Sequence, residues 1–428
     1  MNASQQVLPA ATRSVLLAVE EFHSSEFHRS ELHRSAAPHS SADQPTTGAI
    51  DDAALARAVI RLSNLYTSER RSLSREQADE DHLFAKCGYF LTSDAPKVVL
   101  ALDEAAARST AFAQLSRLER VRVLDLGAGV GATSCGFLAW LAAARSRLHT
   151  NPTQDRRMRV ELHAFELGAP AARAYEQSVR VAAEAANVDV EVRVEARDFR
   201  HKSVPALAQA SDVILCQTAL NELLVEDHVD PRHLPGTVDM VAQWARAAPL
   251  LLIEPALRST TRALMALRDA LVTHSAAQSA VRVVAPCLHQ HACPMHAKVE
   301  DWCHEARRVE PTPRVAAIDR IVGRRDGRAL FAYLATSPSR DEVPNSMIPE
   351  SAIRIVTDTL GSRGKTERVV CRADGELRLM RLLDRETRPE NALFVEGERG
   401  LAVTVNPMPA NDRIGPEVMV APLAPIGE

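Results

Sequence analysis

Residues 285 to 305, APCLHQHACPMHAKVEDWCHE, gather three of the chain's seven cysteines and four of its fifteen histidines. Thiolates at Cys287, Cys293 and Cys303, spaced C-x5-C-x9-C, suit Zn²⁺ or an iron–sulfur cluster, each of which takes four ligands in near-tetrahedral arrangement. Pro286 and Pro294 interrupt any helix or inner strand, so the stretch reads as a shaped loop. A fourth candidate, Cys371, lies far downstream. The spacing is neither the C-x3-C-x2-C of radical enzymes nor the paired C-x2-C of a zinc ribbon. Three unrelated reduced cysteines in a His-rich loop are the plainer alternative. His289, His291, His296 and His304 would complete a zinc site if Cys371 does not. Taken singly, each reads as a polar surface group or as the partner of a ligand.

A second motif is Asp125-Leu126-Gly127-Ala128-Gly129-Val130-Gly131. Glycines at this spacing let the chain turn tightly off a strand and bring backbone N–H groups against a ligand. With Ala132 the same letters satisfy the dinucleotide fingerprint, and a bare glycine turn is the plainer alternative. Three features favour S-adenosylmethionine. Asp125 ends the strand where it could attract the cationic amino-acid end of that cofactor and would repel a pyrophosphate. Glu166 ends a second strand, placed to accept hydrogen bonds from ribose hydroxyls. A third strand ends near Asp198, which with Phe199 suits an adenine amino group and ring face. The progression resembles class I S-adenosylmethionine-dependent methyltransferases. Glu166 lies about forty residues beyond the loop, roughly twice the usual gap, because HTNPTQDRRMR lengthens the connection.

No catalytic residue is assigned. The fourth strand ends in CQTALNEL, without the Asn/Asp-Pro-Pro-aromatic turn of base-amino methyltransferases. Cys216 lacks the preceding proline of cytosine-C5 enzymes and reads as a buried core cysteine. The sulfonium can need only positioning and desolvation, so the missing turn weakens the enzyme reading without removing it.

The elements that must position these residues follow from the pattern. In 428 residues, 46% hydrophobic and 25% charged, there is length for two or three domains with cores of their own. Residues 1–48 carry the repeat EFHSS, EFHRS, ELHRS and a Ser/Pro/Thr-rich stretch. A period of five suits neither helix nor strand, so a disordered low-complexity tail is expected. Residues 49–119 read as a helical domain, with apolar residues at three- and four-residue steps from Leu55 to Leu65. From Val121 short β-rich runs alternate with helices, the grammar of a parallel α/β sheet. A methyltransferase-like domain is therefore expected over 120–337 and a C-terminal β domain over 338–428. No stretch approaches the roughly 18 apolar residues of a membrane span. No leader pattern is visible at the N-terminus, and the odd number of cysteines reads as reduced thiols, which places the chain in the cytoplasm. The net charge of −4 gives no overall field for nucleic acid. Arg307-Arg308, RIVGRRDGR and RLMRLLDRETR offer local phosphate contacts, although solvated surface charge explains any one of them.

The cysteine loop carries a closer resemblance. VVAPCLHQHACPMHAKVEDWCHEARRV after LLLIEP, with RALFAYLAT following and a lone cysteine in a C-terminal β segment, is similar to the methyltransferase-like assembly-factor family of the mitochondrial small ribosomal subunit (Rsm type) and its bacterial relatives. The family pattern is close to Pro-Cys-Pro-His, then Cys-Pro, then Trp-Cys-His-Phe. Leu288 and Glu305 depart from it, and the last gap is wider, yet every thiol is in place. The resemblance runs from about residue 55 to the end, with AKCGYFLTSDAPKVVLALDEA matching the helical part loosely. It implies an S-adenosylmethionine-binding fold, a [4Fe–4S] cluster on Cys287, Cys293, Cys303 and Cys371, and association with small-subunit ribosomal RNA. The expected protein is a monomer, either an rRNA methyltransferase or a non-catalytic assembly factor. A small-molecule methyltransferase with a structural zinc site is the further alternative.

Overall fold

A computed structural model describes residues 8–35, 51–67, 80–148, 157–224, 235–276, 281–324, 327–339 and 348–425. Its larger sheet uses β1 (Arg120–Leu126), β2 (Met158–Phe165), β3 (Val188–Glu195), β4 (Val213–Gln217), β5 (Leu250–Pro255), β6 (Val281–Ala285), β7 (Glu305–Arg308) and β8 (Arg328–Pro338). The order is β3-β2-β1-β4-β5-β8-β6, with β7 also paired to β8. The strands β3 to β5 run parallel, and β8 is antiparallel to β5, β6 and β7. This is the parallel-rich α/β sheet expected from the alternating pattern, and its order agrees with the methyltransferase fold that the glycine-motif resemblance implied. The turn of direction in strand order falls at β1 and β4, where open α/β sheets place their ligands.

Crossover helices complete the layers. They are α6 (Ala132–Leu148) after β1, α7 (Ala169–Ala185) after β2, α8 (Val204–Ala210) after β3, and α9 (Asn221–Leu224) with α10 (Pro235–Ala247) after β4. The helix α11 (Arg258–Ala276) follows β5. Preceding the sheet are α1 (Ala10–Ser35), α2 (Asp52–Thr67), α3 (Glu80–Ala85), a π-helical turn at Lys86–Phe90, α4 (Leu91–Arg108) and α5 (Thr110–Gln114). The helix α4 shares the main core, pressed so closely on α6 that a Cβ on Gly136 would stand 2.6 Å from the Ala95 carbonyl oxygen. The helices α2 and α3 and the π turn instead close a small cluster with α12 (Pro313–Val322), built on Leu55, Leu62, Tyr89 and Ile318.

The expectation of an unstructured tail is corrected over Ala10–Ser35. Leu8, Thr12, Val15, Leu16, Val19 and His23 are buried at three- and four-residue steps, and α1 lies across α6 and α7. The apolar stripe lies mostly ahead of the repeat, which begins only at Glu21. The rest of the tail, 36–48, and the side chains of the later repeats lie outside the described residues. Within the first repeat His23 is 5% exposed, and its Nε2 is 2.8 Å from the Ser178 hydroxyl. Burial pushes its pKa from 6.5 down to about 4. The unfolded chain therefore binds the extra proton first, and this part of the stability, complete above pH 6.5, is lost as pH falls toward 4. Proteolytic nicking of α1 should rise roughly tenfold per pH unit in that window. His23→Phe should remove the dependence, and equal nicking at pH 7 and pH 5 in the native chain would contradict it.

The second sheet follows β8. It contains β9 (Ala352–Ile355), β10 (Leu360–Ser362), β11 (Lys365–Arg372), β12 (Leu377–Leu383), β13 (Ala402–Asn406), β14 (Arg413–Ile414) and β15 (Met419–Pro422), with helix α13 (Ala392–Glu396) between β12 and β13. The strand order is β14-β12-β11-β9-β13-β15 with β10 on β11, around a core of Ile353, Val370, Met380, Phe394 and Val403. It is joined to the first sheet by charge. Arg354 on β9, 3% exposed at its side chain, donates to Glu305 Oε1 at 2.6 Å, to the Pro286 carbonyl at 3.0 Å and to Glu104 on α4.

Candidate functional site

Three loops at the carboxyl ends of the parallel strands meet at the glycine motif. Gly127, Gly129 and Gly131 all hold positive φ, +71°, +55° and +104°. Gly127 and Ala128 donate to the Phe165 carbonyl at 2.9 and 3.0 Å, which ties the loop to the end of β2. A Cβ on Gly127 would stand 2.2 Å from that of Ala219 and 3.8 Å from Phe199, so the loops after β3 and β4 both reach the turn. At Gly129 nothing lies within 4 Å of that position, which leaves room for a ligand against the backbone.

Glu166 is brought to this loop despite its long sequence gap, whose inserted residues 149–156 lie outside the described ones. Its Oε2 accepts from Gly129 N at 2.9 Å and its Oε1 from Gly168 N at 2.9 Å. Each oxygen keeps a second lone-pair direction for a ribose hydroxyl. Asp198 is more open, at 37% side-chain exposure, and is held by Arg200, whose backbone N–H and guanidinium both donate to it. Phe199 lies edge-on to Trp244, with ring centroids 6.1 Å apart.

Asp125 departs from the expectation of a group open to the cofactor. It is 0% exposed, set behind the loop and accepting from Ser134 Oγ of α6 at 2.6 Å, while Tyr175 OH lies 2.7 Å from that hydroxyl. Its Oδ1 has no partner. Burial, opposed by Ser134 and helped by Glu166, pushes its pKa up to about 7. Asp125 braces the start of α6. Cys216 is a core residue, as expected, at 1% exposure.

The end of β4 spends its polar groups internally. Gln217 accepts from Thr133 Oγ1 at 3.2 Å and donates to the Asp94 carbonyl at 3.3 Å. Asn221, on α9, donates through both its backbone and side-chain nitrogens to the buried Glu254 at 3.0 and 2.5 Å.

The tertiary structure draws the four thiols of the expected ligand set together. Cys293, Cys303 and Cys371 pack on one patch made by Met265, Met295 and Val356. Cys287 lies close enough to raise the thiol pKa of each of the other three, although burial is the larger cause. Cys303 is pushed up to about 12. All seven cysteines are free. Among the described residues, no group of three or more His, Cys, Asp or Glu side chains stands in metal-holding geometry. The donor set itself is soft, four thiols with three of them on one patch. Arg268, Arg354 and Arg399 stand near the thiols and would offset the negative charge of four thiolates. The histidines support the loop. His289 Nε2 is 3.4 Å from Cys371 Sγ, His291 stacks on His289, and His304 stacks on Trp302.

Sequence reasoning missed the residues that shape this loop. Arg268, 3% exposed, donates to the His289 carbonyl at 2.7 Å and to that of His291. Arg262 donates to the carbonyls of Lys298 and Asp301 at 2.7 and 2.8 Å, and Arg399 to that of Trp302 at 2.7 Å. Asp269 accepts from Cys293 N at 2.9 Å and lies 3.2 Å from His296 Nδ1. The signal was the polar run Arg262, Arg268 and Asp269 on one face of α11, together with Met265, at helical spacing. The arginines read as phosphate contacts serve mainly within the protein. Arg307 binds Glu305 and the Gly400 carbonyl, Arg328 binds Asp358, and Arg378 binds Glu376.

A family model described as mitochondrial small ribosomal subunit Rsm22 matches residues 97–387. No curated protein matches the chain. Among solved structures it is similar to the plantazolicin methyltransferase BpumL in complex with SAH, at 11% identity and a TM-score of 0.28, covering 67% of this chain and 97% of that one. An uncharacterized protein from Burkholderia thailandensis aligns at 12% identity and a TM-score of 0.31, covering 71% and 97% of the two chains. A SAM-dependent O-methyltransferase from Thermotoga maritima aligns at 14% and 0.25, covering 57% and 64%.

Proposed function

Because the chain belongs to the mitochondrial small ribosomal subunit Rsm22 family, we propose that it binds S-adenosylmethionine and acts on small-subunit ribosomal RNA in ribosome assembly or translation. In this reading Cys287, Cys293, Cys303 and Cys371 hold a [4Fe–4S] cluster, with zinc as the alternative occupant. The observation that carries the proposal is the meeting of Cys371, from the second sheet, with three thiols of a loop beside a methyltransferase sheet. No described helix is long and apolar enough to cross a membrane, and the protein is taken to act as a cytoplasmic monomer.

The cofactor would lie against Gly129, with its ribose hydroxyls on Glu166 and its adenine toward Phe199. Once bound it supplies an electrophilic methyl group. The chain's own part is to hold it, orient it and exclude water. A metal on the four thiols would tie β11 to the 285–305 loop and make that junction metal-dependent. The internal pairing of Gln217 and Asn221 favours the non-catalytic assembly factor over the methyltransferase, because the end of β4 offers no base-specific turn.

Anaerobic purification, an ultraviolet–visible spectrum, metal analysis and sedimentation with immature small subunits test the proposal together. A brown protein with about four iron atoms that sediments with those particles is expected. Colourless, zinc-loaded protein that ignores ribosomes would support a small-molecule methyltransferase instead. Cys371→Ser should lower the iron content and expose the second sheet to protease, and unchanged iron would remove Cys371 from the ligand set. Transfer of labelled methyl to the ribosomal RNA of a deletion strain separates an enzyme from an assembly factor.

A further inference from the structure

The stretch RLMRLLDRETR spends Arg378 on Glu376, whereas Arg381 and Arg385 are exposed and form no ion pair among the described residues. Arg363 is likewise exposed and outside any described ion pair. Side chains alternate along a strand, and on β12 Met380 and Leu382 turn into the core of the second sheet. Arg381 therefore lies on the outer face, with Leu379.

That face can be followed from strand to strand. Its register sets Cys371 beside Leu377, Val369 beside Leu379, and Leu360 beside Glu367 and Arg381. Cys371, Leu377 and Val369 pack on the patch of Met265, Met295 and Val356 that also takes Cys293 and Cys303. Beyond them the face is open, with Leu379 51% and Leu360 46% exposed. Two turns bound this open end. Arg363 and Gly364 form the one between β10 and β11, and Asp384, in the turn after β12, donates its N–H to the Gly364 carbonyl at 3.1 Å. Arg363 and Arg385 are thereby gathered at the end of the face that also carries Arg381 and Lys365. Four cations there meet two carboxylates, Asp384 and Glu367, and Glu367 is taken by Lys365 at 2.6 Å.

Resting on the ribosomal reading above, we propose that this outer face of β10, β11 and β12 binds a single strand of RNA, with phosphates on Arg363, Arg381 and Arg385 and unstacked bases over Leu360 and Leu379. Guanidinium groups that the protein does not pair internally are matched in geometry and charge by phosphate. The leucines decide the form of the RNA. A duplex keeps its bases stacked inside and would leave both side chains in water, whereas a single strand can lay its base faces on them.

The test is fluorescence anisotropy of the full-length protein with a short labelled single-stranded RNA of mixed sequence, and with the same RNA as a duplex, over a range of salt. Arg363→Gln, Arg381→Gln and Arg385→Gln combined should weaken single-strand binding about 100-fold at about 0.1 M salt. The slope of log affinity against log salt should fall by about 2, from three phosphate contacts at roughly 0.7 each. Leu360→Ser with Leu379→Ser should weaken binding several-fold and leave the slope unchanged, a split that general damage to the sheet would not produce. Unchanged affinity in the arginine variant overturns the assignment, even if the native protein sediments with small subunits. An equal loss on Arg117→Gln, Arg173→Gln and Arg180→Gln combined, at three exposed arginines outside the second sheet, also overturns it, since any loss of positive charge would then do the same. A duplex bound as tightly as the single strand, with no response to the leucine changes, overturns it too. If the native protein binds no RNA of either form, the ribosomal reading fails as a whole, an outcome distinct from the others.

Discussion

Replacing Arg354 with Met is expected to lower the free energy of unfolding by about 3–5 kcal/mol, the usual cost of breaking a buried ion pair on one side. Arg354 and Glu305 are each 3% exposed at their side chains, and Glu104 is 13% exposed. Without the guanidinium the two carboxylates, on α4 and β7, would be left in a low-dielectric seam, and the Pro286 carbonyl would lose its donor. Chemical denaturation would show the loss, and protease would cut first between the sheets. The triple change Arg354→Met, Glu104→Gln and Glu305→Gln should recover only part of the stability, because it removes the two buried carboxylates but leaves Arg307, 14% exposed, without both of its carboxylate partners. A single variant as stable as the native chain would mean that the pair is solvated. The same network sets an acid limit. Burial would raise Glu104, but Arg354, helped by Arg307, outweighs it and holds the carboxyl below its ordinary 4.5. Its contribution is complete above that value and is lost as pH falls through the lower folded one.

Gly127→Ala should be nearly as damaging, and at the proposed cofactor site. At φ +71° an alanine costs about 1–2 kcal/mol in backbone strain, and its Cβ would overlap that of Ala219 at 2.2 Å, adding about 1–3 kcal/mol of overpacking. One of the two loops must move, so S-adenosylhomocysteine affinity should fall more than about tenfold, since ordering energy is then drawn from binding. Gly129→Ala serves as the comparison. It shares the positive φ, +55°, but meets nothing within 4 Å, so the fold should lose only the backbone part. Ala219→Gly introduced beside Gly127→Ala should restore the overpacking part. Native melting temperature and affinity in Gly127→Ala alone would show that the loops do not touch.

The limits of reading this chain as a string show at particular residues. The strand-glycine-helix grammar from Val121 onward and the alternation beyond residue 350 were legible because sheet pairing and helix faces leave periods of two and 3.6 in the chain. Glu166 was found through its place at a strand end, and its contact with Gly129 tolerates any length of insertion, since an inserted loop need only return its ends. The first helix was misread, because the five-residue repeat masked a stripe that begins ahead of it. Arg262, Arg268, Arg354 and Arg399 were not recognised as supports of the cysteine loop. Their partners are backbone carbonyls and distant carboxylates, which leave no periodic trace in the sequence.

The sequence by itself determined which residue types are present to bind: a glycine turn, a carboxylate at a strand end, and four thiols with no disulfide role. It also determined the fold class, because side-chain periodicity is a local property of the backbone. Only the tertiary structure decided that Asp125 faces the core and that Cys371 crosses from the second sheet to join a loop about seventy residues or more before it. These depend on which elements pack together, and packing joins residues by proximity in space, which spacing along the chain does not encode.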